Sequence, residues 1–144
     1  IHWQPGWIER SSAEKDRLTR IAHANDEWIF EGGHFRTFDE RLARADTFIW
    51  LDVSVWRRLW RVVKRTMRDL GKNRPDLPED CPERINLETL KFLHFIWTTR
   101  NRWRDKIAGV CASPPSGLLC HRFTSTAQIN AYVESLKGNP SHHP

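Results

Sequence analysis

The chain has 144 residues, 39% hydrophobic and 28% charged, enough for one domain with a real core and too apolar for a disordered chain. A net charge of +5 and a pI near 9.5 favour anionic partners: nucleotides, nucleic acid or phosphate esters. No apolar run is long enough to cross a membrane, no signal peptide opens the chain, and three cysteines without CxxC spacing argue against a disulfide framework or zinc site and for reduced thiols in a cytoplasm.

In chain order, Ser11-Ser-Ala-Glu14 reads as a capping box that opens a helix over about 12–24, with Asn25 as its stop. Trp28 to Phe30 is a short apolar run ended by Glu31-Gly32-Gly33 and is expected to be a buried strand. Thr37-Phe-Asp-Glu40 is a second capping box, for a short helix to about Ala45. Thr47 to Val53 is a continuous apolar strand of the kind buried on both faces. Strand, helix, strand in so few residues predicts a parallel pair with a right-handed crossover. Ser54 caps a long helix to about Leu70, ended by Gly71. Its apolar arc (Trp56, Leu59, Trp60, Val63, Met67, Leu70) is expected in the core, as are most of the eight tryptophans. The Pro-rich stretch KNRPDLPEDCPERI is a loop, and Asn86 caps a helix to about Ile107. Gly109 to Gly117 is a turn region, Leu118 to Phe123 the final strand, and Ser125-Thr-Ala-Gln128 a third capping box for a helix to about Lys137. The tail GNPSHHP is expected to fray, and its His142-His143 pair is too sparse for a metal site. This order predicts an α/β fold with a mostly parallel sheet.

Chemistry is sought beyond the carboxyl ends of the strands, where open parallel sheets bind ligands. Glu31 and Asp52 stand there, either as carboxylates for a water-coordinated metal or as plain turn caps. Gly32-Gly33 serves either close approach to a ligand or a tight turn. The strongest local feature is the basic face of residues 57–68, five Arg and one Lys with no acid between them. Such a row repels itself unless something anionic lies across it, and Arg suits phosphate through paired donors. His2, His23, His94 and His121 are scattered, and no Ser-His-Asp or Cys-His spacing stands out.

WQPGW (3–7), WIFEGGHFRT (28–37), DERLARADTFIWLD (39–52) and GKNRPDLPEDCPER (71–84) together resemble the bacterial DNA topology modulation proteins, small P-loop proteins related to adenylate kinase. The matches fall in the family's order and spacing over roughly residues 1–104. The resemblance implies a three-layer P-loop kinase-like core with an Arg-rich helical lid over about 57–104, all in one domain. It implies ATP and Mg²⁺ as ligands, with Glu31 positioning the metal through water. Gly32, Gly33, Arg36 and Arg41 would lie at the phosphate acceptor. Arg61, Arg65 and Arg74 would act on the transferred phosphoryl group. Arg100, Arg102 and Arg104 would close over the nucleotide.

Two departures stand against the family pattern. The Asn-Tyr that follows the first glycine is replaced by Gly33-His34-Phe35, which removes polar contacts to an acceptor. The opening strand and G-x-x-x-x-G-K-[ST] loop do not occur in the 144 residues. With Ile1 in place of an initiator Met, the expectation is a retained portion of a longer protein, lacking its first strand and inactive by itself; the alternative is a family member that has lost its nucleotide site. The functional expectation is an ATP-dependent phosphotransferase or nucleotide-binding protein acting on a nucleotide or another phosphorylatable small molecule. The alternative is a basic DNA-binding module without catalysis. Exposed sheet edges would favour oligomers, and no membrane association is expected.

Overall fold

The computed structural model describes residues 1–137, so the expectations for GNPSHHP lie outside the described residues. The chain opens with a tiny antiparallel hairpin, β1 (Trp3–Gln4) and β2 (Ile8–Glu9), around a 3-10 turn at Pro5–Trp7. Helix α1 (Ser12–Ala24) starts where expected, because the Ser11 hydroxyl accepts from the Glu14 N–H. It ends at Asn25, whose side-chain amide donates to the Ile21 and Ala22 carbonyls. A 3-10 turn at Phe35–Thr37 leads into α2 (Phe38–Leu42), followed by β3 (Thr47–Leu51) and α3 (Val55–Arg68). Helices α4 (Leu87–Thr98) and α5 (Arg104–Ala112), strand β4 (Leu119–Phe123) and α6 (Thr126–Lys137) complete the order.

The fold is mixed α/β, and its main sheet is the parallel pair β3–β4, in register from Thr47↔Leu119 to Leu51↔Phe123. One sheet face carries Phe48, which meets Phe38 edge-on with ring centres 5.8 Å apart. Phe38, Leu42 and Leu118 form the buried centre, with Phe35, Ala45, Phe48, Ile107 and Val110 around it. On the other face, His121 and Phe123 pack against Tyr132 of α6, while Ile49 and Leu51 of β3 stay about half exposed.

Several expectations are corrected here. Residues 28–30 form no strand, and Ile29 is 99% exposed. A strand needs a neighbour to satisfy its backbone, and this run has none among the described residues: Trp28 leans on His23 and Phe30 lies under the Arg41 guanidinium instead. The parallel pair therefore joins residues 47–51 to 119–123, not to 28–30. Thr37 does not cap α2; its side chain is buried without a hydrogen bond. The helix expected from Asn86 to Ile107 is two helices. At the break, the Thr98 and Thr99 hydroxyls bond back to the His94 and Phe95 carbonyls, a local alternative to continuing the ladder. Gly109 lies inside α5 rather than in a turn. Cys111 and Cys120 form a disulfide between α5 and β4, so the expectation of reduced thiols holds only for the buried Cys81.

The tryptophans are corrected as well. Trp50 is buried, but Trp56 and Trp60 are 68% and 62% exposed. The chain exposes 10587 Å², against about 7,800 Å² for a compact monomer of 17.1 kDa. Helix α3 buries a single residue, Thr66, and α4, α5 and α6 bury none, so the surplus is spread over these helices.

Candidate functional site

The α3–α4 hairpin contains the best-defined cavity. Gly71, at φ +74°, turns the chain sharply after α3, and its N–H donates to the Glu83 carbonyl at 2.9 Å. Glu83 N–H donates to the Lys72 carbonyl at 3.0 Å, and Asn73 ties the loop by bonding Cys81 N–H and the Pro78 carbonyl. The loop therefore folds back on itself and carries Lys72 and Arg74 to the end of α3, beside Arg65 and Arg68. These four cations, with Asp69 and Asp76, line a cavity of about 320 Å³. The buried Glu83 carboxylate lies 3.2 Å from Arg74 Nε and 4.0 Å from Arg65 Nε. Neither Nε is aimed well enough to donate a hydrogen bond, so Glu83 neutralises and orients the two guanidinium groups without satisfying them. Arg68 pairs with Asp69, and Arg74 also reaches Asp76 at 3.3 Å. Lys72 has no ion-pair partner among the described residues.

The N-terminal hairpin braces this loop. The Trp7 indole N–H donates to the Pro82 carbonyl at 3.1 Å, and the Gly6 N–H donates to the Glu79 carbonyl. Cys81, fully buried, accepts from the Trp7 N–H and donates to the Gln4 carbonyl. WQPGW and EDCPE, some seventy residues apart, thus form one structural unit.

A second polar cluster lies just beyond the carboxyl ends of β3 and β4. Asp52 accepts from Arg104 at 3.1 Å and from Arg122 Nε at 3.0 Å. Burial alone would raise the Asp52 carboxyl pKa, but the hydrogen bonds from Arg122 and Arg104 outweigh it and hold the value below the usual carboxylate range. Nearby, Arg57 and Arg61 both donate to the Thr126 hydroxyl, at 3.4 and 3.2 Å, which places them over the start of α6.

The third cluster belongs to α1 and the segment before α2. Arg36 Nε donates to Asp16 at 2.9 Å, and His34 Nε2 lies 2.8 Å from the other Asp16 oxygen. The hydrogen bond from Arg36, supported by His34, lowers the Asp16 pKa. Arg41 is buried; its Nη2 donates to the His34 carbonyl at 2.9 Å, and its guanidinium sits 4.1 Å from the Phe30 ring centre. Burial pulls the Arg41 pKa below the usual arginine value. Glu31, Gly32 and Gly33 are exposed beside this cluster, and Glu31 makes no hydrogen bond or ion pair among the described residues. Gly32 has φ +110° with open space where a Cβ would stand, so backbone conformation rather than crowding requires glycine there.

The residues singled out in the sequence therefore fall into groups. Arg65 and Arg74 share one pocket; Arg36 and Arg41 belong to one polar cluster around His34 rather than to a cavity; Arg61 reaches Thr126; Arg104 reaches Asp52. Arg100 donates to the Trp97 carbonyl and stacks on that ring, and Arg102 lies 5.5 Å from the Trp103 ring centre. Sequence reasoning missed Asp16, Glu83 and Arg122, the residues that hold these arginines. The acids sit in runs already explained as helix and loop, and only the fold brings them to their partners. Among the described residues no group of three His, Cys, Asp or Glu side chains can share a metal ion. Glu31 alone fits Mg²⁺ only as an outer contact to an ion whose remaining ligands are phosphates and water. No helix among the described residues is long and apolar enough to cross a membrane. Compared with protein-family models, curated proteins and solved structures, the chain finds no match.

Proposed function

We propose that this chain handles nucleotides as the phosphate-clamping portion of an ATP-dependent phosphotransferase, with a three-layer P-loop kinase-like core and the α3–α4 hairpin as its lid. The observation that carries this reading is the pairing of Arg65 and Arg74 across Glu83, in a cavity also lined by Arg68 and Lys72. Two guanidinium groups held in one orientation suit the several anionic oxygens of a polyphosphate better than a single charge. When a phosphoryl group transfers, negative charge spreads over its oxygens, and fixed cations lower the barrier by meeting that charge. Glu83 is the positioning residue: it keeps both guanidinium groups turned toward the cavity. Arg61 and Arg104, near the carboxyl ends of β3 and β4, would meet the same nucleotide once the hairpin closes. Arg36 and Arg41 would hold the acceptor, and Arg100 and Arg102 would flank the closed lid. Mg²⁺ would arrive with ATP as part of the substrate, with the Glu31 carboxylate facing its water shell. Since the 144 residues contain no G-x-x-x-x-G-K-[ST] loop, the reading gives this chain nucleotide binding without turnover.

Calorimetric titration with Mg-ATP, Mg-ADP and AMP tests it. The expected affinity falls from ATP to ADP to AMP. Arg65→Ala and Arg74→Ala each weaken ATP binding by about tenfold or more, the worth of a charge-assisted hydrogen bond. AMP binding as tightly as ATP, or either alanine variant leaving ATP affinity unchanged, would overturn the proposal.

A further inference from the structure

Helix α3 presents three distinct faces. Val55, Leu59, Val62 and Thr66 turn inward, half-buried or buried. Trp56, Trp60, Val63, Met67 and Leu70 form a second, apolar line that runs just past the end of the helix. Their spacing of four, three, four and three residues is the heptad spacing of a helix that pairs with another helix. Four of its five members are left bare: Met67 and Leu70 are 54% and 51% exposed and Trp56 and Trp60 still more, while Val63 is half-buried between them. Among the described residues, Trp56 alone of this line has an aromatic neighbour, Trp97 of α4, at 5.1 Å. The third face lies alongside and holds Arg57, Arg61, Lys64 and Arg68. Among the described residues only Arg68 has an acidic partner, Asp69; Arg57 and Arg61 reach no more than the Thr126 hydroxyl.

We propose that this face docks an amphipathic helix of another polypeptide, with apolar residues at heptad spacing and a flank of Asp or Glu. Charge selects the occupant. A second copy of α3 brings no acid, since residues 55–68 contain none. Nucleic acid would satisfy the cations, but along this line only Trp60 is left to stack on a base: Val63, Met67 and Leu70 offer no stacking surface, and Trp56 is already set against Trp97. An acidic amphipathic helix covers the apolar line and neutralises the basic one in the same contact, the pattern by which e and g positions choose partners. Two exposed tryptophans, at the start of the line, are typical residues for the few contacts that dominate such an interface.

The probes are two labelled four-heptad helical peptides with the same leucine seam, one flanked by Glu and one by Lys, together with a duplex DNA. Fluorescence anisotropy at low and physiological salt reads binding. The Glu peptide is expected to bind at least about tenfold more tightly than the Lys peptide, and to weaken as salt rises. Trp60→Ala should weaken it by about tenfold, and Arg57→Glu with Lys64→Glu should reverse the preference. These side chains are exposed, and circular dichroism checks that each variant is folded. Equal binding of both peptides, binding of neither, or displacement of the Glu peptide by the DNA would overturn the proposal. So would sedimentation showing a dimer that Trp60→Glu dissolves, because a second copy would then cover the face.

Discussion

The α2–β3–β4–α5 layer and the α3–α4 hairpin are built from similar shares of apolar residues, yet they spend them differently. The first turns Phe38, Leu42 and Leu118 onto one another, closes Phe48 and Ile107 over them and adds a covalent link at Cys111–Cys120. The second buries only Thr66 along its two helices, with Cys81 and Glu83 in the loop between them, and keeps its shape through Ser54 and the Asn86–Thr89 capping box, the loop hydrogen bonds around Glu83 and the clasp of the N-terminal hairpin. Burial gives the layer its stability. Directional bonds give the hairpin its form and leave its apolar and basic faces open to a ligand or partner.

The contrast is most exposed to failure at the aromatic residues. Phe38→Ala should cost about 3–5 kcal/mol, because the site is packed on all sides, whereas Trp60→Ala, though it removes a larger ring, should cost less than about 1 kcal/mol. Urea unfolding of both variants measures this, and a larger loss at Trp60 would erase the distinction. Next in size, reducing the disulfide, which spans nine positions in sequence, should cost about 2–3 kcal/mol and lower the melting temperature by several degrees. Nucleotide affinity measured in the same reduced sample should hold, since the bridge lies in the layer and the cavity in the hairpin. Smallest is the contribution of Asp52, where the two regions meet. Asp52→Asn should lower stability by about 1–2 kcal/mol at neutral pH. Its carboxyl pKa is depressed in the folded chain, so its stabilisation is complete above the unfolded value near 3.9 and fades as pH falls through the folded value. Melting curves of the two proteins should therefore start to converge below about pH 4 and meet once pH has fallen through the depressed folded value, and a gap that does not narrow over that range would assign the loss to packing instead.

Local signals carried most of the helices. Ser11, Ser54, Asn86 and Ser125 all accept a backbone N–H at the start of a helix; Ser11 and Ser125 were readable as capping boxes and Ser54 and Asn86 as capping residues alone, whereas the box read at Thr37 forms no cap. Pairing was less legible. Trp28-Ile29-Phe30 has strand composition, but whether such a run becomes a strand depends on what lies beside it, which is not a local property. The same holds for α3: its two apolar arcs look alike in sequence, and only the fold separates the one facing inward from the one facing water. The arginines themselves were legible, because clustered charge without acid is visible in any window. Their partners were not. Asp16 lies twenty positions before Arg36, and Glu83 nine after Arg74, beyond the reach of helical or hairpin spacing.

The parallel register of β3 and β4 also bears on how the chain is made. Strand β3 is finished at Leu51, but the residue that pairs with it, Phe123, leaves the ribosome 72 residues later. At roughly 5–20 residues per second that is a wait of about 4–14 seconds, during which TFIWL, apolar and β-branched, emerges without its mate. Slow synthesis would lengthen the exposure of that segment, so the yield of native protein should fall as translation between these two strands slows.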